Sequence, residues 1–113
     1  MRVAQQVTGR IIVPITVIPE IAYLLLTRRS HRAMRLFIRE LQQPVWNVIG
    51  LDGVDLARIF ELLDQYQDAR LDFADASIVT VAERLNVETV LTLDKRDFYM
   101  IRPLHTDHFT ILP

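Results

Sequence analysis

The chain has 113 residues, half of them apolar, and no cysteine. That length suits one domain with a real core, and the missing thiols exclude a disulfide scaffold and a thiolate metal site. The net charge of -1 hides an uneven distribution: residues 1–50 hold seven arginines against Glu20 and Glu40, and the rest holds six basic and twelve acidic residues. Such a balance argues against coating nucleic acid by net charge alone, but local fields can still select an anionic partner.

No run of 18 apolar residues is present, so no membrane-spanning helix is expected. The start, MRVAQQVTGR, lacks the long apolar stretch of a signal peptide, and a cytoplasmic location is the default expectation. Residues 1–10 are weakly patterned. Ile11 to Ile15 reads as a short strand, with Pro14 an objection to a central hydrogen-bonded place. Thr16 is the expected cap of the next helix, with Pro19 in its first turn. Ile18, Ile21, Ala22, Leu25 and Leu26 form its apolar stripe, which Glu20 interrupts. A solvated first-turn charge is the plain account of that glutamate.

Residues 27–30 break the pattern. Ser30 then caps a helix of about His31 to Leu41, whose core side is expected to be Met34, Phe37, Ile38 and Leu41. Arg32, Arg35 and Arg39 fall mostly on the other side. With Arg28 and Arg29 they make a basic patch able to meet phosphates, or simply a solvated face. Val45 to Leu51 reads as a strand, with Trp46 a packing residue. Asp52 and Asp55 have the spacing of a capping box, and the helix they open should bury Val54, Leu56, Ile59, Phe60, Leu62 and Leu63.

The most informative stretch is LDFADASIVTVAERLNVETVLTLDKRDF, residues 71–98. Asp72 caps a helix, Asp75 sits in its positive first turn, and Asn86 ends it. Thr89 to Thr92 is β-branched and apolar, as in a buried strand. Asp94 and Asp97 follow the strand end. His105 and His108 are three apart and near Asp107, and the short tail argues against a metal cluster there. Phe109 to Leu112 resembles a last strand. The alternation of elements predicts an α/β, three-layer domain with a mainly parallel sheet flanked by helices. Open α/β sheets place their sites at the carboxyl ends of the strands. Glu20, Asp75 and Asp94 are the acids that the apolar pattern sets beside the core. Grouped carboxylates need protons or a cation, and oxygen ligands of this type suit Mg²⁺ or Mn²⁺.

The ordered set of PE at 19–20, ADA at 74–76 and TLDKRDF at 92–98 resembles the PIN domain family, in particular the VapC-like toxins of toxin–antitoxin pairs. IIVPITVIPEIAYLLL resembles the family's second strand and following helix, and FTILP its last strand. The resemblance spans nearly the whole chain and implies a single PIN-like domain over residues 1–113. By resemblance, Glu20, Asp75, Asp94 and Asp97 are the catalytic, metal-binding acids of a Mg²⁺- or Mn²⁺-dependent endoribonuclease. Arg28, Arg29, Lys95 and Arg96 are then the RNA-binding residues. The same resemblance implies an RNA substrate, a VapB-like antitoxin, a homodimer and no membrane. The chain departs from the family at its start. No aspartate precedes Glu20, so the domain is expected to be N-terminally shortened, without the first central strand and its acid. A catalytically inactive scaffold that binds RNA or an antitoxin is the alternative function, and a structural assembly protein is a third.

Overall fold

The structure, a computed structural model, describes residues 3–5, 11–87, 89–91, 102–106 and 110–112. Among the described residues ten elements follow one another: β1 (Val3–Gln5), β2 (Ile11–Pro14), α1 (Val17–Arg28), α2 (His31–Glu40), β3 (Trp46–Ile49), α3 (Gly53–Gln65), a 3₁₀ turn (Gln67–Ala69), α4 (Phe73–Leu85), β4 (Thr89–Leu91) and β5 (Thr110–Leu112). The strands form a sheet in the order β3-β2-β1-β4-β5. The pairs β2–β3 and β4–β5 are parallel, the first as the alternation of elements predicts.

The centre of the sheet is the unexpected part. The place beside β2 that the sequence reading leaves vacant is taken by β1, which pairs antiparallel with β2 and with β4. The edges of β2 and β4 that face each other are thereby hydrogen-bonded to β1. Pro14 is tolerated because it closes β2. Ile11 and Ile15 donate their N–H groups to Val45 and Ile49 of the β3 side. The donor that Pro14 lacks would face the other side, beyond the last paired residues Ala4 and Ile12.

Helix α4 organises the core. Every residue from Ala74 to Ala82 is buried, which a helix achieves only inside a domain. Ile12, Val13 and Val17 meet Ile59, Leu62, Ile78, Val79, Val81 and Ala82 in one cluster. The hydroxyls of Ser77 and Thr80 are satisfied within the helix, donating to the carbonyls of Ala74 (2.6 Å) and Ala76 (2.9 Å). Asn86 ends α4 in the left-handed conformation (φ 57°), and Val87 N–H returns to Ala82 O at 2.8 Å.

Two apolar faces differ from expectation. On α3, Ile59 and Leu62 are buried and Leu63 is half-buried, but Val54, Leu56 and Phe60 are exposed. The inward stripe runs through Asp55, Ile59, Leu62 and Tyr66, so the other apolar residues lie on the remaining sides of a helix with one buried face. On α2 no residue is fully buried, and Ile38 and Leu36 are exposed. Leu26 of α1 is exposed too, because α2 packs mainly on α1 and the pair presents an outer surface. Ser30 caps α2 as expected, accepting from Ala33 N–H at 3.0 Å. Trp46 packs half-buried against the core and donates its Nε1–H to Glu40 at 3.1 Å. Among the described residues no helix is long and apolar enough to cross a membrane.

The expected capping box is present: Asp52 accepts from Asp55 N–H at 2.9 Å, and Asp55 accepts from Asp52 N–H at 3.1 Å. The N–H of Asp55 holds the Asp52 carboxyl below its ordinary pKa. A carboxyl depressed in this way contributes stability above its unfolded value, and the contribution is lost as pH falls through the folded one. An Asp52→Ala chain should therefore melt below the parent at pH 7, with the gap closing as the pH is lowered through the carboxylate range. Thermal melts at a series of acidic pH values, followed by circular dichroism, read this directly.

Candidate active site

The strands β2 and β4 both run antiparallel to β1, and β3 and β5 run parallel to them. All four therefore end at the same edge of the sheet. Helix α1 begins there, two residues after Pro14 closes β2. Helix α4 feeds the start of β4 through a short link, so it runs back across the sheet and its own start lies at that edge. The fold thus assembles two helix starts where the strands end, and each carries one of the predicted acids in its first turn: Glu20 on α1 and Asp75 on α4.

A side-chain contact joins the two turns. Thr16 Oγ1 hydrogen-bonds Ser77 Oγ across 61 residues of sequence. Ser77 spends its own proton on Ala74 O, so Thr16 is the donor. Thr16 stands at the cap position of α1 but makes no capping bond; its hydroxyl is turned to α4 instead. Thr16 lies four residues before Glu20, and Ser77 two after Asp75. The contact between these hydroxyls is what sequence reasoning missed. Thr16 read as a cap, Ser77 drew no reading, and nothing local marks a pairing across that distance.

The acids themselves differ. Asp75 is 1% exposed and its Oδ1 is shielded from solvent, whereas Glu20 is exposed. Burial of a carboxylate is costly unless it is met by opposite charge, a hydrogen bond or a cation. The N-terminal end of α4 supplies part of that compensation. Asp72 plays the capping role expected of it, with Oδ1 accepting from Asp75 N–H at 2.8 Å. That bond fixes the backbone beneath the Asp75 side chain.

Hard oxygen donors at the start of two helices fit a divalent cation in their chemistry. Among the described residues no cluster of three or more candidate metal ligands occurs; of the four predicted acids, Glu20 and Asp75 lie within them. Asp94, Asp97, Lys95 and Arg96 lie outside the described residues. Arg28 and Arg29 stand at the far end of α1, about 12 Å along the axis from Glu20. The fold does not bring them to the acids along that helix. His105, considered above beside Asp107 and His108, donates Nε2–H to Val87 O at 2.6 Å and so serves packing; the other two lie outside the described residues.

The family model of the PIN domain matches residues 1–102. The chain belongs to the PIN domain family. The PIN match covers both helix starts and the acids they carry. Ribonuclease VapC26 of Mycobacterium tuberculosis is 34% identical over 97 residues, covering 86% of this chain and 72% of that protein. The crystal structure of Mycobacterium tuberculosis VapC20, described as a sarcin–ricin loop cleaving toxin, superposes with a TM-score of 0.66 at 20% identity. That superposition covers 72% of this chain and 62% of the toxin chain, and it shows the shared PIN fold. The chain spans less than two thirds of that toxin's length.

Proposed function

We propose that this PIN domain, a single unit over residues 1–113, is a divalent-metal-dependent endoribonuclease of the VapC toxin type. The observation that carries the proposal is the pairing of helix starts: a buried Asp75 and an exposed Glu20 in first turns tied by the Thr16–Ser77 contact, at the edge where β2 and β4 end. Similarity to a ribonuclease at 34% identity supports the same reading. Glu20, Asp75, Asp94 and Asp97 are the acids that would hold Mg²⁺ or Mn²⁺. Bound there, the cation supplies Lewis-acid stabilisation of the charge that develops on a phosphodiester under attack. The chain's own part is to fix the carboxylates. Asp72 anchors the Asp75 backbone, and the Thr16–Ser77 contact holds α1 against α4 so that Glu20 keeps its station. Arg28, Arg29, Lys95 and Arg96 are assigned to RNA phosphates.

The cytoplasm is the proposed site of action. A homodimer and a VapB-like antitoxin are the proposed protein partners. The exposed apolar residues Tyr23, Leu24 and Leu26 of α1, with Leu36 and Ile38 of α2, favour such a partner, because apolar surface gathered on one helix pair gains from being covered.

The second reading, a PIN-like scaffold that binds RNA or an antitoxin without cutting, is favoured by one observation. The centre of the sheet is Val-Ala-Gln, with no carboxylate in β1. Titration calorimetry with Mn²⁺, followed by an RNA cleavage assay in Mn²⁺ or Mg²⁺ against a chelator, separates the two. The ribonuclease reading expects a bound metal and metal-dependent cleavage. RNA binding that ignores the metal and leaves the strand intact would move the scaffold ahead.

A further inference from the structure

Helix α2 carries Arg32, Arg35 and Arg39 at spacings that put all three on one side of the helix. All three are exposed, and they line an open groove of about 320 Å³ with Leu36. Two arginines of α3 and α4 are handled differently. Arg58 is paired with Glu83 and Glu61, and Arg84 with Asp55. Among the described residues no ion pair is made by Arg28, Arg29, Arg32, Arg35 or Arg39. The one acid on α2, Glu40, is engaged by Trp46 Nε1. The first turn of α2 has no acid either, so the positive end of the helix adds to the same field.

Like charges three and four residues apart repel, and a merely solvated helix face relieves this by interleaving acids, as α3 does with Arg58 and Glu61. The α2 face keeps its arginines bare. Guanidinium groups pair with phosphate oxygens in a bidentate fork, and a row of them matches a row of phosphates. Leu36, 41% exposed between them, gives a base an apolar surface that a simple polyanion would not use.

We propose that Arg32, Arg35 and Arg39 form a binding ridge for the backbone of single-stranded RNA, apart from the acids at the start of α1 and α4. The choice of RNA as the polyanion rests on the ribonuclease reading above. The ridge spans about 10 Å of helix, enough for more than one phosphate. It holds the strand by charge, without regard to base identity.

The test is fluorescence anisotropy with a labelled single-stranded RNA in a chelator, at several salt concentrations. The parent chain is compared with an Arg32→Gln, Arg35→Gln, Arg39→Gln triple variant and with the corresponding triple change to lysine. Both replacements are good helix formers at exposed positions, and circular dichroism checks that the helices persist. Removing three phosphate contacts should lower the slope of log affinity against log salt by about 2, with an affinity loss on the order of tenfold. The lysine triple should keep most of the slope. Equal affinity and slope in parent and glutamine triple would overturn the ridge, as would displacement of the RNA by polyglutamate as readily as by unlabelled RNA. A parent that does not bind RNA also overturns it. A cleavage assay in Mn²⁺ is read separately: a ridge-dependent binder that never cuts leaves the ridge standing and removes the ribonuclease reading. A cutting enzyme indifferent to the triple variant does the reverse.

Discussion

An Asp75→Asn chain is expected to lose RNA cleavage by more than about a hundredfold, because even changes to groups that only support a metal ligand cost 10–100-fold. The same change should abolish Mn²⁺ binding seen by calorimetry or electron paramagnetic resonance, which reports the ligand role without any turnover. The helix cap should survive. Asn has nearly the shape of Asp, and the bond from Asp75 N–H to Asp72 Oδ1 involves only the backbone of residue 75. An unchanged melting temperature with lost metal binding therefore separates a functional carboxylate from a structural one. Glu20→Gln should act in the same direction from the other helix. Cleavage by Asp75→Asn at the parent's rate would remove Asp75 from the site, and with it the assignment of α4's first turn as part of the active edge.

How much of this was legible in the chain depends on the range of the interaction. Local rules served well. Ser30, Asp52 and Asp72 cap the helices they were expected to cap, and Asn86 ends α4, because these bonds close within three to five residues. The parallel pair β2–β3 follows from the helices between its strands. Long-range facts were not legible. The antiparallel β1 at the sheet's centre has no strong alternation in VAQ, and its place is decided by the two strand edges that receive it. The surplus of apolar residues on α3 concealed which stripe faces in, and only the packing against α4 selects Ile59 and Leu62 over Phe60. The acids of α1 and α4 were legible as first-turn carboxylates. That their turns touch through Thr16 and Ser77 is a fact of tertiary packing. The ion pairs Arg58–Glu83 and Arg84–Asp55 likewise join residues 25 and 29 positions apart on different helices, beyond the reach of any helical spacing.

Glu83→Ala is expected to give the largest loss of stability among the polar substitutions discussed, about 2–3 kcal/mol in urea unfolding. Three bonds converge on that carboxylate: Arg58 Nε at 2.8 Å, the Arg58 terminal nitrogen at 2.9 Å and Leu104 N–H at 2.8 Å. The side chain of Glu83 is 9% exposed and that of Arg58 17%, so water replaces the lost partner poorly. Donating its hydrogen bonds to Glu83 also pushes the Arg58 pKa up, so the guanidinium stays charged and must be solvated once its partner is gone. Arg58 keeps a contact to Glu61 at 3.1 Å, but Glu61 is 65% exposed and compensates only in part. This places the cost below the 3–5 kcal/mol typical of breaking a fully buried pair. Glu83→Gln should fall between parent and alanine, since an amide oxygen still accepts from Leu104 N–H while the charge attraction is lost. An Arg58→Met, Glu83→Leu double variant should recover part of the deficit, because no charge is left stranded. A Glu83→Ala chain as stable as its parent would mean that α3, α4 and the 102–106 segment are held by apolar packing alone. The expected result assigns this one carboxylate the joining of all three, at the opposite end of α4 from Asp75.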